Sequence, residues 1–112
     1  MEQLKRVYEA FNARDLDTAL SLMHDDVDWP NGWQGGRITG RDAVRDYWTG
    51  QFQSINSQVE PESFTEAGDR VAVTVHQIVR DLDGNVMSDG TVKHVYTFKD
   101  GLVARMDIVA VT

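Results

Sequence analysis

The sequence lacks cysteine altogether and has only two prolines in 112 residues. Without cysteine the chain can form no disulfide, no thiol nucleophile and no thiolate metal site. It also lacks a basic run: 11 Lys and Arg stand against 18 Asp and Glu, for a formal net charge of −7. Binding to a phosphate backbone needs clustered cations, so we expect no nucleic-acid partner.

Long apolar runs are missing as well, and none reaches the length of a membrane span. No charged-then-apolar signal sequence precedes Leu4. We therefore expect a cytoplasmic protein with no membrane partner. With 41% hydrophobic and 26% charged residues the composition is globular, and the length predicts a single domain over residues 1–112.

The first half of the chain has helical periodicity. The apolar residues Leu4, Val7, Tyr8 and Phe11 follow the i, i+3, i+4, i+7 spacing and predict a helix near 3–13. A second helix is predicted over 15–23, with Asp15 as its N-cap, and a third over 41–52. The chain therefore begins with three helices.

Two segments between these helices are predicted to be irregular. The run 24–26 (HDD) is an acidic connection; it does not suggest a metal site, because consecutive residues do not converge easily on one ion. Residues 27–29 form a short strand that ends at Pro30. The next ten residues contain four glycines and are predicted to be a loop.

From residue 57 onward the pattern changes to alternation, which is typical of strands. Turn residues at 67–69, 83–85 and 99–101 divide this half into a meander of four strands. Helices followed by hairpins indicate an α+β fold with a mostly antiparallel sheet. The alternation places these residues on the helix-covered face: Val73, Val75, His94, Tyr96, Met106 and Ile108.

The opposite face of the sheet is predicted to be mixed in polarity. Ile78 and Val95 lie there beside polar and charged groups, namely Thr74, His76, Arg105 and Asp107. Such a face suits a two-fold interface, so we expect a homodimer formed through the outer face of the sheet. Arg105 and Asp107 could also pair with each other at little net gain.

Four segments together resemble a known family: YEAFNARDLD (8–17), LMHDDVDW (22–29), GRDAVRDYW (40–48) and HVYTFKDGLVARM (94–106). Their order and spacing are similar to the SnoaL-like and ketosteroid-isomerase-like branch of the nuclear transport factor two-like superfamily. The resemblance covers nearly the whole chain. It implies a cone-shaped, curved, mostly antiparallel sheet covered by three N-terminal helices, often in a dimer.

The resemblance does not imply one reaction, because this fold carries many. Where the isomerases have a catalytic Asp the chain has Asn31, and an amide cannot abstract a proton at neutral pH. Their oxyanion-binding Tyr corresponds to Val7, one residue before Tyr8, and their second donor corresponds to His94. The catalytic Asp of limonene-epoxide-hydrolase-like members corresponds to Ile108. Both chemistries are therefore disfavoured.

His94 is the candidate catalytic residue, because its strand parity points it inward and its ordinary pKa lies near neutrality. It could act as a general acid, a base or a carbonyl-polarising donor; a structural histidine bonded to a backbone carbonyl is the alternative. Burial is expected to lower its pKa and leave a neutral imidazole, able to act as a base, at pH 7.

The remaining candidates would bind the ligand. Gln77 has the same strand parity as the inward valines and could orient a substrate, although a solvent-exposed strand end also explains it. Asn31 could orient a substrate as well, although asparagine is also common in turns. Trp33 in the glycine-rich loop is a candidate lid. Apolar contacts are assigned to Tyr8, Trp48, Tyr96 and Met106, with core packing the favoured explanation for Tyr47 and Trp48.

No phosphate-binding glycine loop, HExxH or GxSxG pattern is present, so we expect neither a cofactor nor a metal. The leading hypothesis is a SnoaL-like enzyme of the isomerase, cyclase or lyase type that moves a proton on an apolar carbonyl compound. The alternative is a non-catalytic protein that binds an apolar small ligand. A missing carboxylate base favours the binder, whereas an inward histidine favours the enzyme.

Overall fold

The computed structural model describes residues 2–32 and 34–110, and in this part of the chain it contains three helices and six strands. Trp33 lies outside the described residues, so its predicted place as a lid stays a prediction. The elements are, in chain order, α1 (Glu2–Asn12), α2 (Leu16–Ser21), β1 (Met23–Pro30), β2 (Arg37–Thr39), α3 (Arg41–Phe52), β3 (Ile55–Ala67), β4 (Arg70–Asp81), β5 (Val86–Lys99) and β6 (Leu102–Ala110).

The strands form one sheet in the order β2-β1-β6-β5-β4-β3. Neighbouring strands run antiparallel except β1 and β6, which are parallel. Helices α1 and α3 pack against this sheet, and the core lies between the two layers. The predicted α+β fold, with three helices over a mostly antiparallel sheet, is confirmed. Among the described helices none is both long and apolar enough to cross a membrane.

Irregularities in strand pairing bend the sheet. The register shifts between Pro61 and Ser63 in β3, between Val79 and Arg80 in β4, and between Thr97 and Phe98 in β5. Each extra residue bends its strand and increases the local twist. The long hairpins therefore curve around the helices, and a hollow forms between the two layers.

Three predicted boundaries are wrong. Helix α2 ends at Ser21, and Met23 begins β1 while remaining fully buried. The acidic run 24–26 is part of β1, and it lies between Met23 and Asp28, the two β1 residues that pair with β6. The predicted loop contains β2, so the meander is four strands of a larger sheet. Pairing of β1 at both ends of this run outweighs the low strand propensity of the acidic residues.

Regular alternation along β6 predicts that Leu102 and Ala104 share the inward face of Met106 and that Val103 faces outward, and this prediction is wrong at the start of the strand. Val103 is completely buried, whereas Leu102 and Ala104 are half-buried. The cause is a shift in strand register: Thr97 pairs with Arg105, but the next residue, Phe98, pairs with Val103. One residue of β6 is therefore skipped, and the side chains before it change faces. Beyond this shift Met106 is buried and Arg105 is exposed, as predicted.

Hydrogen bonds to backbone groups fasten the helices to the sheet. The Asn12 side-chain amide donates to the Val59 carbonyl (2.8 Å) and accepts from the Val59 N–H (3.0 Å). It thereby protects an edge strand that would otherwise present unpaired groups. At the start of α3, Arg41 donates twice to the Met23 carbonyl, at 2.9 and 2.6 Å.

A closed ring of four charged side chains joins β1, β2 and β6. Arg37 Nε lies 2.7 Å from Asp28, Arg105 lies 2.9 Å from both Asp28 and Asp107, and Arg37 completes the ring at 3.1 Å from Asp107. The predicted pairing of Arg105 with Asp107 is therefore confirmed. Only Arg37 also donates to backbone within this ring, to the carbonyls of Met106 (2.7 Å) and Asp28 (3.1 Å).

We predict that Arg37→Met lowers the free energy of unfolding by about 1–2 kcal/mol, because hydrogen bonds to charged donors are lost across three strands. Urea denaturation at neutral pH measures the change. Arg105→Met is the matched control, since its partners are exposed carboxylates alone and such pairs contribute little. An equal or larger loss in Arg105→Met would contradict the special role of Arg37.

Candidate functional site

Helices α1 and α3 and the concave face of the sheet enclose a cavity of about 510 Å³. Aromatic rings form much of its wall: Trp48 meets Trp29 and Phe11 edge-on, each at a centroid distance of 5.3 Å. Met87 and Ile108 also line the cavity, yet they are 63% and 52% exposed. They therefore mark its mouth, from which an apolar ligand could enter.

The polar groups that reach this cavity are few and neutral. The lining residues with polar side-chain groups are Tyr8, Tyr47, Gln51, Ser57, Gln77, Ser88, His94 and Tyr96, together with Trp29 and Trp48, which carry indole N–H groups. Among the described residues that line the cavity none is Asp, Glu, Lys or Arg. An ionised ligand would therefore find no counter-charge there, and burying an unpaired charge is strongly unfavourable.

Three of these groups form a buried hydrogen-bonded chain. The Tyr96 hydroxyl donates to the Tyr8 hydroxyl (2.8 Å), which lies 2.8 Å from His94 Nδ1. The rings of Tyr8 and His94 are stacked within 9° of parallel. Tyr8 belongs to α1, whereas His94 and Tyr96 belong to β5, so the chain joins a helix to the sheet.

The buried end of the chain sets the direction of all its hydrogen bonds. Tyr96 is 1% exposed, and Tyr8 is the only hydrogen-bond partner of its hydroxyl in the described part of the protein. Tyr96 therefore donates to Tyr8. We assign the Tyr8 hydrogen to His94 Nδ1, because this arrangement pairs both hydroxyl hydrogens within the chain. Neutral His94 then carries its proton on Nε2.

His94 Nε2 is a group of this chain that is left for a ligand. It has no hydrogen-bond partner among residues 2–32 and 34–110, and no side-chain nitrogen or oxygen there is both sealed off and unpaired. Since His94 lines the cavity, Nε2–H is a donor that a ligand can reach. Burial lowers the pKa of His94 to about 4, so the imidazole is neutral at pH 7.

The two tyrosines stay protonated. Burial, together with the neighbouring Tyr96, raises the pKa of Tyr8 well above its ordinary value. Burial also raises the pKa of Tyr96, and the hydrogen bond with Tyr8 offsets only part of this rise. Neither phenol can ionise near neutrality, so the chain supplies donors and no buried base.

The structure brings most of the predicted site residues together. Six of them line the cavity: Tyr8, Trp48, Gln77, His94, Tyr96 and Met106. Asn31 is not among the lining residues; its amide oxygen accepts from the Gln34 N–H (3.0 Å) within the loop. Gln77 makes a long contact of 3.4 Å with Ser57 Oγ.

Sequence reasoning missed Tyr47 and Ser57 as cavity residues. Tyr47 was assigned to the core, although its hydroxyl accepts from the Gly32 N–H (2.9 Å) and lines the cavity. Helical spacing could place Tyr47 on an inward face but could not show where that face meets a hollow. Ser57 has the parity of Val59 on β3, which was the available signal.

The described residues hold no group of three His, Asp or Glu side chains that could share a metal ion. The run 24–26 lies in an extended strand, where neighbouring side chains point to opposite faces. Asp25 pairs with Arg41 at 2.9 Å.

A family model described as the SnoaL-like domain matches residues 4–106. The chain belongs to the SnoaL-like family. Among curated proteins no significant match is found.

Solved structures agree with this family. TerC, co-crystallised with polyporic acid, is 29% identical, with a TM-score of 0.86 over 98% of this chain and 89% of that one. An NTF2-like protein of unknown function from Burkholderia pseudomallei is 25% identical, with a TM-score of 0.87 over 99% and 89%. A putative polyketide cyclase from Sinorhizobium meliloti is 23% identical, with a TM-score of 0.84 over 97% and 94%, and so shares the fold.

We predict that stability falls as pH drops from about 6.5 to about 4. Between these two pH values His94 is protonated in the unfolded chain but stays neutral in the folded chain, because burial lowers its pKa in the folded state to about 4. The contribution of His94 to the free energy of unfolding is therefore fully present above the pKa that His94 has in the unfolded chain. At pH 4 the free energy of unfolding is lower by about 3 kcal/mol.

Urea denaturation of the wild type and His94→Gln between pH 7 and pH 4 isolates this effect, since the carboxylates contribute to both proteins. The wild type should lose more stability on acidification than the variant. Equal pH slopes would show that His94 is not held neutral by burial.

Proposed function

We propose that this SnoaL-like protein binds a neutral, apolar carbonyl compound in its cavity and assists proton transfer on it. The observation that carries the proposal is the reachable Nε2–H of His94, set by the chain that ends at Tyr96. A carbonyl oxygen would accept this hydrogen bond while apolar carbons lie against Trp29 and Trp48. Co-crystallisation of the related TerC with polyporic acid supports a small-molecule ligand.

The hydrogen-bond order favours His94 as a polarising donor over the two other roles. Its Nδ1 lone pair is occupied by Tyr8, so it cannot accept a proton there without breaking the chain. Full proton donation would leave a buried tyrosinate at the far end, which burial opposes. A donor aimed at an oxygen that gains negative charge nevertheless lowers the barrier to enolisation.

The proton on the adjacent carbon then needs an acceptor. No described lining residue is a carboxylate, so we assign this role to water that enters between Met87 and Ile108. The carbon–hydrogen bond breaks, its proton passes to water, and the enolate oxygen stays hydrogen-bonded to Nε2. Such a weak base suffices only for a substrate whose proton is already acidic.

The missing carboxylate also favours a second function, a non-catalytic protein that stores or senses the same kind of ligand. The cavity would then need only its aromatic wall and one donor for recognition. Binding with no acceleration of proton exchange would identify this function.

We predict that the wild type accelerates exchange of the α-protons of a bicyclic apolar ketone in D₂O. His94→Leu should slow this exchange about 100-fold, the usual effect of losing one such donor. His94→Gln should lose less, because its amide N–H can replace Nε2–H. NMR of the ketone measures exchange, and quenching of tryptophan fluorescence reports binding.

The two variants separate the roles of His94. Equal losses in His94→Leu and His94→Gln would mean that the imidazole itself carries the proton. Asn31→Ala, outside the lining residues, should have a milder effect than either. Full activity in His94→Leu would remove His94 from the reaction.

We also propose that the chain forms a homodimer through the outer face of the sheet. Val109 is 43% exposed, and Ile78 and Val95 on the outer face are half-buried. His76 pairs with Asp89 at 2.5 Å on the same face, and this bond raises its pKa. A mixed face of this kind suits a two-fold contact.

Light scattering should therefore give the mass of two chains at micromolar concentration. Val95→Glu should shift the protein to the monomer, because like charges would meet near the axis. A monomeric wild type would contradict the dimer.

A further inference from the structure

The Tyr47 hydroxyl is arranged as a second hydrogen-bond donor in the cavity. Its oxygen accepts from the Gly32 N–H at 2.9 Å and from Gln51 Nε2 at 3.0 Å. A phenol oxygen has two acceptor positions, and these two donors fill both. The remaining capacity of the group is its own O–H.

No group in the described part of the chain takes this hydrogen. In the described ranges no acceptor lies within hydrogen-bond distance of the Tyr47 hydroxyl. Burial raises the pKa of Tyr47, and the Gly32 N–H opposes only part of that rise, so the phenol stays protonated at neutral pH. The half-buried Tyr47 hydroxyl, which lines the cavity, can therefore donate a hydrogen bond to a ligand.

The surroundings of Tyr47 hold this arrangement in place. A Cβ added at Gly32 would lie 3.1 Å from the hydroxyl oxygen, so the close approach of this loop favours glycine. The loop is closed by hydrogen bonds from the Asn31 N–H to the Gly36 carbonyl and from the Gly35 N–H to the Asn31 carbonyl, both 3.0 Å. Gln51 lies one helical turn after Tyr47 on α3.

We propose that Tyr47 is a specificity-determining residue that selects a neutral, apolar ligand with two acceptor oxygens. One oxygen accepts from His94 Nε2–H and the other from the Tyr47 hydroxyl. The contact between one ligand oxygen and His94 rests on the proposed function. The contact between the other oxygen and Tyr47 is independent of it. A carboxylate is disfavoured as the second acceptor, because none of the described lining residues is cationic.

Matched ligands test this inference. The probes are diketones on one, two and four fused saturated rings, each compared with the monoketone of the same skeleton. At least one diketone should bind the wild type about tenfold more tightly than its monoketone, as expected for one additional hydrogen bond. Calorimetry or fluorescence quenching gives the affinities.

Tyr47→Phe should remove this tenfold preference, since it deletes the donor and keeps the ring. The proposal is overturned if no diketone of any size is preferred, or if the preference survives in Tyr47→Phe. It is also overturned if Tyr47→Phe weakens both members of each pair equally, because the hydroxyl would then only position the loop. Thermal melting checks that the variant is folded.

Two further variants keep the outcomes separate. His94→Leu should weaken both members of each pair; if it changes neither, the proposed function fails while the Tyr47 comparison still stands. Gln51→Leu should keep the preference, because Gln51 donates to Tyr47. A preference that appears only in Gln51→Leu would mean that Gln51 takes the Tyr47 proton, and would overturn the proposal.

Discussion

The rest of the site depends on one constraint: the Tyr96 hydroxyl is buried and must give its hydrogen to something. Tyr8 is the partner within reach, and with this bond made, the Tyr8 hydrogen is paired inside the protein only when it goes to His94 Nδ1. A buried polar chain of this kind specifies one arrangement, because any reversal leaves a donor unpaired. The same chain ties α1 to β5, so the helix cannot shift without disturbing the imidazole.

Hydrogen bonds that join the helices to the sheet, and strands to one another, lie around the cavity and not inside it. Asn12 bonds to Val59 at one edge, Arg41 bonds to Met23 at the start of α3, and Arg37 joins β1, β2 and β6 on the outer face. These are mostly bonds from charged or amide donors to backbone carbonyls, which hold fixed positions. A chain this short buries only a small core, and such attachments help to stabilise it around a hollow.

Periodicity in the sequence was sufficient to predict the central part of this site. Alternation along β4 and β5 placed Gln77, His94 and Tyr96 on the inner face, because regular antiparallel pairing preserves side-chain parity. The prediction failed at Val103, where a bulge shifts parity by one residue and leaves no mark in the hydrophobic pattern. It also failed for Tyr47, since an aromatic residue on the inner face of a helix is expected both where that face packs in the core and where it lines a ligand cavity.

The role of His94 could not be predicted from the sequence, because it depends on which of its two nitrogens is occupied. An inward histidine of lowered pKa can be a base at Nε2 when Nδ1 carries the proton, or a donor when Nε2 does. The partner at Nδ1 decides between these, and that partner lies 86 positions away on α1. In this protein it is a phenol that is itself receiving a hydrogen bond, and in the assignment that pairs its own hydrogen inside the protein, Nδ1 accepts and Nε2 donates.

This order also explains how the chain can lack the carboxylate that the isomerases use. A site built from neutral donors stabilises negative charge that develops on an oxygen, but it does not generate that charge by removing a proton. The proton must therefore come from a substrate acidic enough to lose it to water. In the proposed function the reaction is thus limited by the acidity of the ligand, and the chain contributes the apolar walls and the placed donors.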